Sequence, residues 1–212
     1  LEFRRVLFRS VKLEISLMQN IQKIAVFCGS AAGADTDYIK DSMELASAMN
    51  KHKISLVYGG GNVGLMGSLA DEMIRLNGEV IGVIPKRLVE IELAHNAITK
   101  LHIVEGMHER KALMTSLADA FIVLPGGIGT MEEFFEIFTW HQLGYHNKPI
   151  ALSNINGYYD ILIAMLNRMV EQQFVKADDI NRLIIAKSST EALHSLISLT
   201  TYKPVSVNLS ET

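Results

Sequence analysis

The constraint that most limits the fold is an alternation of short, continuous apolar runs with longer helical segments. The runs fall at 23–28 (KIAVFC), 53–58 (KISLVY), 79–84 (EVIGVI), 100–104 (KLHIV), 119–124 (DAFIVL), 148–152 (KPIAL) and 182–186 (RLIIA). Uninterrupted β-branched runs suit strands buried on both faces. Between them, residues 36–50, 63–77, 106–118, 130–143, 157–172 and 189–199 read as helices. In 36–50, Ile39, Met43, Ala46 and Met49 fall near one stripe, and Asn77-Gly78 is a helix stop. Strand–helix alternation of this kind predicts an α/β chain, a single-domain Rossmann-like doubly wound parallel sheet of about seven strands.

The expected domain spans 18–202. Residues 1–17 (LEFRRVLFRSVKLEISL) have no coherent periodicity and no small-residue cleavage site, and read as an artificial or spurious extension before Met18. Residues 203–212 read as a loose tail. Net charge is −3, so the strong basic excess of a nucleic-acid-binding protein is missing and no such partner is expected. No run approaches the roughly 18–20 apolar residues of a membrane helix, so no membrane partner is expected. The single cysteine, Cys28, ends an apolar run; it reads as a core residue and suits a reducing cytoplasm.

In an open parallel sheet, ligands bind outside the carboxyl ends of the strands. The glycines gather there: Gly29 after the first strand, Gly59-Gly60-Gly61 after the second, Gly126-Gly127 after the fifth. GGGNVGLMG (59–67) joins a strand to a helix, and by itself suits structure as well as binding. PGGIGTMEE (125–133) does the same with a free backbone at Gly126, Gly127 and Gly129, a hydroxyl at Thr130, and Glu132 and Glu133 in the first turn. Backbone N–H groups and the helix dipole make that turn an anion site. No lysine follows the glycines, so it is not a Walker A loop, and it is not GxGxxG. Dipole stabilisation alone would account for one of the two glutamates. MHERK (107–111) places Arg110 and Lys111 at a helix start, beside the turn after the fifth strand if the fourth and fifth strands are neighbours. The seven histidines show no ligand spacing, and His102, His108 and His141 read as structural or incidental; no metal is expected.

In this order and spacing, GGGNVGLMG, MHERK and PGGIGTMEE resemble the LONELY GUY family of cytokinin riboside 5′-monophosphate phosphoribohydrolases, and CGSAAG (28–33) and VIPKRL (83–88) are similar to it too. The resemblance runs from about Lys23 to Ala192. Family members have often carried the label possible lysine decarboxylase; no lysine here stands in the context a pyridoxal-phosphate Schiff base needs, so no cofactor is expected.

The resemblance implies hydrolysis of an N6-substituted adenosine 5′-monophosphate to free base and ribose 5-phosphate by a homodimer. It puts the catalytic roles on Arg110 and Glu133 and the phosphate turn on Gly126, Gly127, Ile128, Gly129 and Thr130. Ser30, Gly60, Gly61, Glu92, Met107, Lys111, Met131, Glu132 and Thr139 complete the expected substrate-binding set. VEIELAHN (89–96) departs from the family's usual stretch around Glu92, which leaves the base open. A broader nucleotide 5′-monophosphate nucleosidase and a non-catalytic nucleotide-binding protein are the alternatives; a catalytic glutamate favours an enzyme. In such a reaction a carboxylate stabilises the positive sugar and orients water, while a cation offsets charge on the phosphate or the departing base. MEEFFEIFTWHQL (131–143) carries Met131, Phe134, Phe135 and Phe138 on one stripe, extended by Ile137 and Trp140. Its second apolar side is the expected dimer contact.

Overall fold

A computed structural model describes residues 21–89 and 94–201, with side chains to 199. The expectations placed on 1–17, on Glu92 and on 203–212 lie outside the described residues. Strands β1 (Lys23–Phe27), β2 (Ser55–Tyr58), β3 (Val80–Pro85), β4 (Lys100–Val104), β5 (Ala120–Val123), β6 (Ile150–Ser153) and β7 (Ile184–Ala186) form one sheet. Its order is β4-β3-β2-β1-β5-β6-β7, and every pairing is parallel. The helices are α1 (Asp37–Lys51), α2 (Gly64–Arg75), α3 (Met107–Leu117), α4 (Ile128–Gln142), α5 (Asp160–Glu171), α6 (Ala177–Asn181) and α7 (Ser189–Thr201). The parallel α/β sheet is the one the alternation predicts. The five-residue α6 was not anticipated.

Alternating strand residues feed two cores. Ile24, Val26, Leu56, Tyr58, Ala120 and Ile122 pack with α1, α2 and α7. Ala25, Phe27, Val57, Phe121 and Val123 pack with α3, α4, α5 and α6. Each fully buried large side chain contributes about 1.5–3 kcal/mol.

Two local expectations change. In α1, Ile39, Ala46 and Met49 pack on the core as expected, but Met43 is exposed and Asp41, Ser42 and Leu45 are buried as well. Asp41 is bound inward beside them. Its carboxylate accepts the backbone N–H of Ser189, at the start of α7, at 2.9 Å, and the Ser153 hydroxyl at 3.1 Å. Burial raises the Asp41 pKa, and these hydrogen bonds oppose the rise.

The second change concerns strand neighbours. β4 and β5 are not adjacent: β4 is an edge strand, with β3, β2 and β1 between it and β5. The chain runs outward from β1 to β4 and then returns to β5 on the other side of β1. Helix α3 makes that crossing and contacts β1, β2, β3 and β4. The reversal between β1 and β5 is a topological switch point, where open α/β sheets bind ligands.

Candidate active site

Three strand-to-helix turns meet above the switch point. The Gly29 N–H donates to the Pro125 carbonyl at 3.0 Å, joining the turns after β1 and β5. The Gly29 carbonyl accepts the Leu65 and Met66 N–H groups at 3.1 and 3.4 Å. The start of α2 is therefore satisfied from within the protein. Gly64 has φ +59°, and a Cβ there would lie 2.4 Å from the Ser30 backbone, so only glycine lets these turns close.

Arg110, in the first turn of α3, is carried under this junction. Its guanidinium lies against Gly59, where a Cβ would come within 2.2 Å of Nη2. That close approach gives Gly59 a role that the sequence reading, which named Gly60 and Gly61, did not assign. The repeated GGG after an apolar run was its only signal. Arg110 Nη2 lies 3.4 Å from Glu133 Oε1, with both side chains less than a tenth exposed. Nη1 reaches the Met107 sulfur at 3.8 Å, a weak contact, and the buried Nε has no hydrogen-bond partner. A buried guanidinium with donors unspent is a strong anion ligand.

Glu133 lies one turn into α4, which starts at the PGG turn. Gly127 is the N-cap, and no side chain caps the helix. Gly127, Ile128 and Gly129 are exposed, and a Cβ at Gly127 or Gly129 would meet nothing within 4 Å. Gly126 is different: a Cβ there would strike the Thr130 Oγ1 at 2.1 Å. The first N–H groups of a helix lack intrahelical partners, so α4 offers open donors and the positive end of its dipole to an anion.

Lys111, one residue after Arg110, points elsewhere. Its ammonium pairs with Glu132, and with Glu136 Oε2 at 3.0 Å. Burial disfavours its charge, but the two carboxylates outweigh burial and raise its pKa. Lys111 thus braces α3 against α4 and fixes how Arg110 faces Glu133. Among the described residues, no three His, Cys, Asp or Glu side chains gather as a metal-binding group.

The remaining expected residues divide. The Ser30 backbone lies against Gly64, and Ser30 itself is exposed. Gly60 (φ +81°) accepts the His95 N–H at 2.9 Å, and Gly61 bridges Ala94, so the chain flanking 90–93 is tied to this turn. Met131 is half-buried and packs toward the core. Thr139 is exposed and, by helical rise, about 13 Å along α4 from Thr130. Within one chain it is not brought to the junction. Cys28 is buried, and burial raises its thiol pKa strongly, which fits a core residue.

The family model described as possible lysine decarboxylase matches residues 66–196. A cytokinin riboside 5′-monophosphate phosphoribohydrolase of Rhodococcoides fascians is 44% identical over 178 residues, 84% of this chain and 90% of the relative. One from Arabidopsis thaliana is 40% identical, covering 86% of this chain and 85% of its own length. Among solved structures, the molybdenum cofactor binding protein of Rippkaea orientalis aligns with TM-score 0.64 at 20% identity, over 84% of this chain and 97% of that one. The molybdenum cofactor carrier protein of Chlamydomonas reinhardtii aligns with TM-score 0.64 at 17% identity, over 85% and 98%. Those two show a shared fold. With its sequence relatives and its family model in agreement, the chain belongs to the LONELY GUY family of cytokinin riboside 5′-monophosphate phosphoribohydrolases.

Proposed function

We propose that this protein hydrolyses the N-glycosidic bond of a nucleoside 5′-monophosphate, an N6-substituted AMP, to free base and ribose 5-phosphate. The observation that carries the reading is the buried Arg110–Glu133 pair, 3.4 Å apart, beside the uncapped start of α4. The 5′-phosphate binds the N–H groups around Gly127–Thr130, which sets the ribose over Glu133. The bond from the anomeric carbon to the base breaks with its electron pair going to the base. Glu133 stabilises the cationic sugar and orients the water that attacks it. One water proton ends on the base, and the hydroxyl stays on the sugar. Arg110 offsets negative charge on the phosphate or the leaving base.

Lys111 is not suited to a Schiff base. A Schiff-base lysine needs a lowered pKa, whereas Lys111 is held protonated by two carboxylates.

The protein acts as a homodimer in this reading. Beyond its buried Phe134, Ile137 and Phe138, α4 exposes Ile128 and Phe135, and the neighbouring α5 exposes Ile161 and Met165. Exposed apolar side chains on two helices that pack on the same core suit a protein contact. Among the described residues, no helix is long and apolar enough to cross a membrane. The single buried thiol suits the cytoplasm. The test is incubation with N6-isopentenyl-AMP and with AMP. Free base from the first at the higher kcat/KM supports the reading, faster release from AMP gives a broader nucleosidase, and none from either gives a binding protein.

A further inference from the structure

The loop after β6 holds the phosphate turn from the far side. Residues 154–159 read NINGYY, with left-handed φ at Asn156 (51°) and Gly157 (70°). Asn156 Nδ2 donates to Asp35 Oδ2 at 2.9 Å and Asp37 Oδ2 at 3.2 Å, tying this loop to the one after β1. Asn154 Oδ1 accepts the Tyr159 N–H at 2.7 Å. The turn thereby presents two successive tyrosines to PGG. The buried Tyr159 hydroxyl donates to the Leu124 carbonyl at 2.5 Å, and the Tyr158 hydroxyl donates to the Gly126 carbonyl at 2.5 Å. Between them, the Pro125 carbonyl accepts the Gly29 N–H. The three carbonyls leading into α4 are all held.

A trans peptide is planar, so its C=O and N–H point in opposite directions. Holding the Gly126 oxygen toward Tyr158 turns the Gly127 N–H away from it, toward the open side of the turn. A glycine–glycine peptide has little steric reason to stay in one orientation. The Tyr158 ring is itself set edge-to-face, 5.7 Å from Tyr38 and 4.9 Å from Tyr159. We propose that Tyr158 is a positioning residue for phosphate recognition. Its hydroxyl locks the Gly126–Gly127 peptide so that the Gly127 N–H faces the substrate's 5′-phosphate. This inference rests on the nucleoside monophosphate reading of the site.

Tyr158→Phe tests it, because the ring and its aromatic contacts remain and only the hydroxyl is lost. One lost hydrogen bond predicts that KM for N6-isopentenyl-AMP and Ki for ribose 5-phosphate rise together by about fivefold to tenfold. The kcat, the inhibition by free base and the melting temperature stay near wild type. Unchanged KM and Ki would overturn the proposal, as would equal weakening toward free base and ribose 5-phosphate, which signals general loosening. If the wild type releases no base from any nucleotide, the functional reading fails. Calorimetric titration with inorganic phosphate then decides the lock alone: weaker binding by the Phe variant supports it, and equal binding refutes it.

Discussion

The two glycine-rich turns read alike in sequence and differ in what surrounds them. In GGGNVGLMG the glycines make room for protein. Gly59 admits the Arg110 guanidinium, Gly64 admits the Ser30 backbone, and a Cβ at Gly67 would sit 2.8 Å from the Asn62 backbone. The helix that follows has its leading N–H groups taken by the Gly29 carbonyl. In PGGIGTMEE, Gly127 and Gly129 adjoin open space and the helix start is uncapped. One turn is glycine-rich to pack and to seat the buried Arg110 guanidinium. The other is glycine-rich beside open space, with its helix start uncapped. Spacing does not distinguish these uses; only the atoms that a side chain would meet do so.

The comparison can be broken at single glycines. Gly64→Ala carries the largest cost, because it forces a left-handed φ on alanine and a clash with rigid backbone. A loss of about 2–5 kcal/mol is expected in denaturant unfolding; wild-type stability would mean that this turn is not tightly packed. Gly59→Ala meets the end of a flexible side chain instead, so the fold survives but Arg110 is pushed off Glu133. Steady-state kinetics should show turnover falling about 10²-fold, the usual consequence of a small misplacement. Gly129→Ala should have the smallest effect and the opposite sign. With open space around it and a helical position, alanine should stabilise the protein by about 0.5–1 kcal/mol. A lower melting temperature in that variant would show the second turn to be packed like the first.

Much of the fold was legible because local pattern determines it. Continuous apolar runs located the seven strands, and Asn77-Gly78 the end of α2. Strand order was not legible, since pairing is non-local. MHERK would lie beside β5 if β4 and β5 were neighbours; instead it stands at the start of a helix that crosses β3, β2 and β1. On α1 only Met43 was misplaced, and the buried Asp41 was not legible because its partner, Ser189, lies far along the chain. At the site, the motifs brought out Arg110 and Glu133, and the structure brings them to one place. Lys111 read as a substrate-binding residue because its pairing with Glu132 and Glu136 spans two helices and leaves no local mark. Tyr158 was hidden inside an expected helix from 157, although Asn156-Gly157 before two tyrosines is a turn signal.

In the proposed mechanism the start of α4 grips the 5′-phosphate while Glu133 acts on the ribose. Glu133→Gln should keep nucleotide affinity and lose about 10²–10⁴ in turnover, which makes a stable complex available. A crystal structure of that variant soaked with AMP tests the claim directly. The account predicts phosphate on the N–H groups of Gly127–Thr130 and the anomeric carbon facing residue 133. Phosphate bound elsewhere with this turn empty would contradict it.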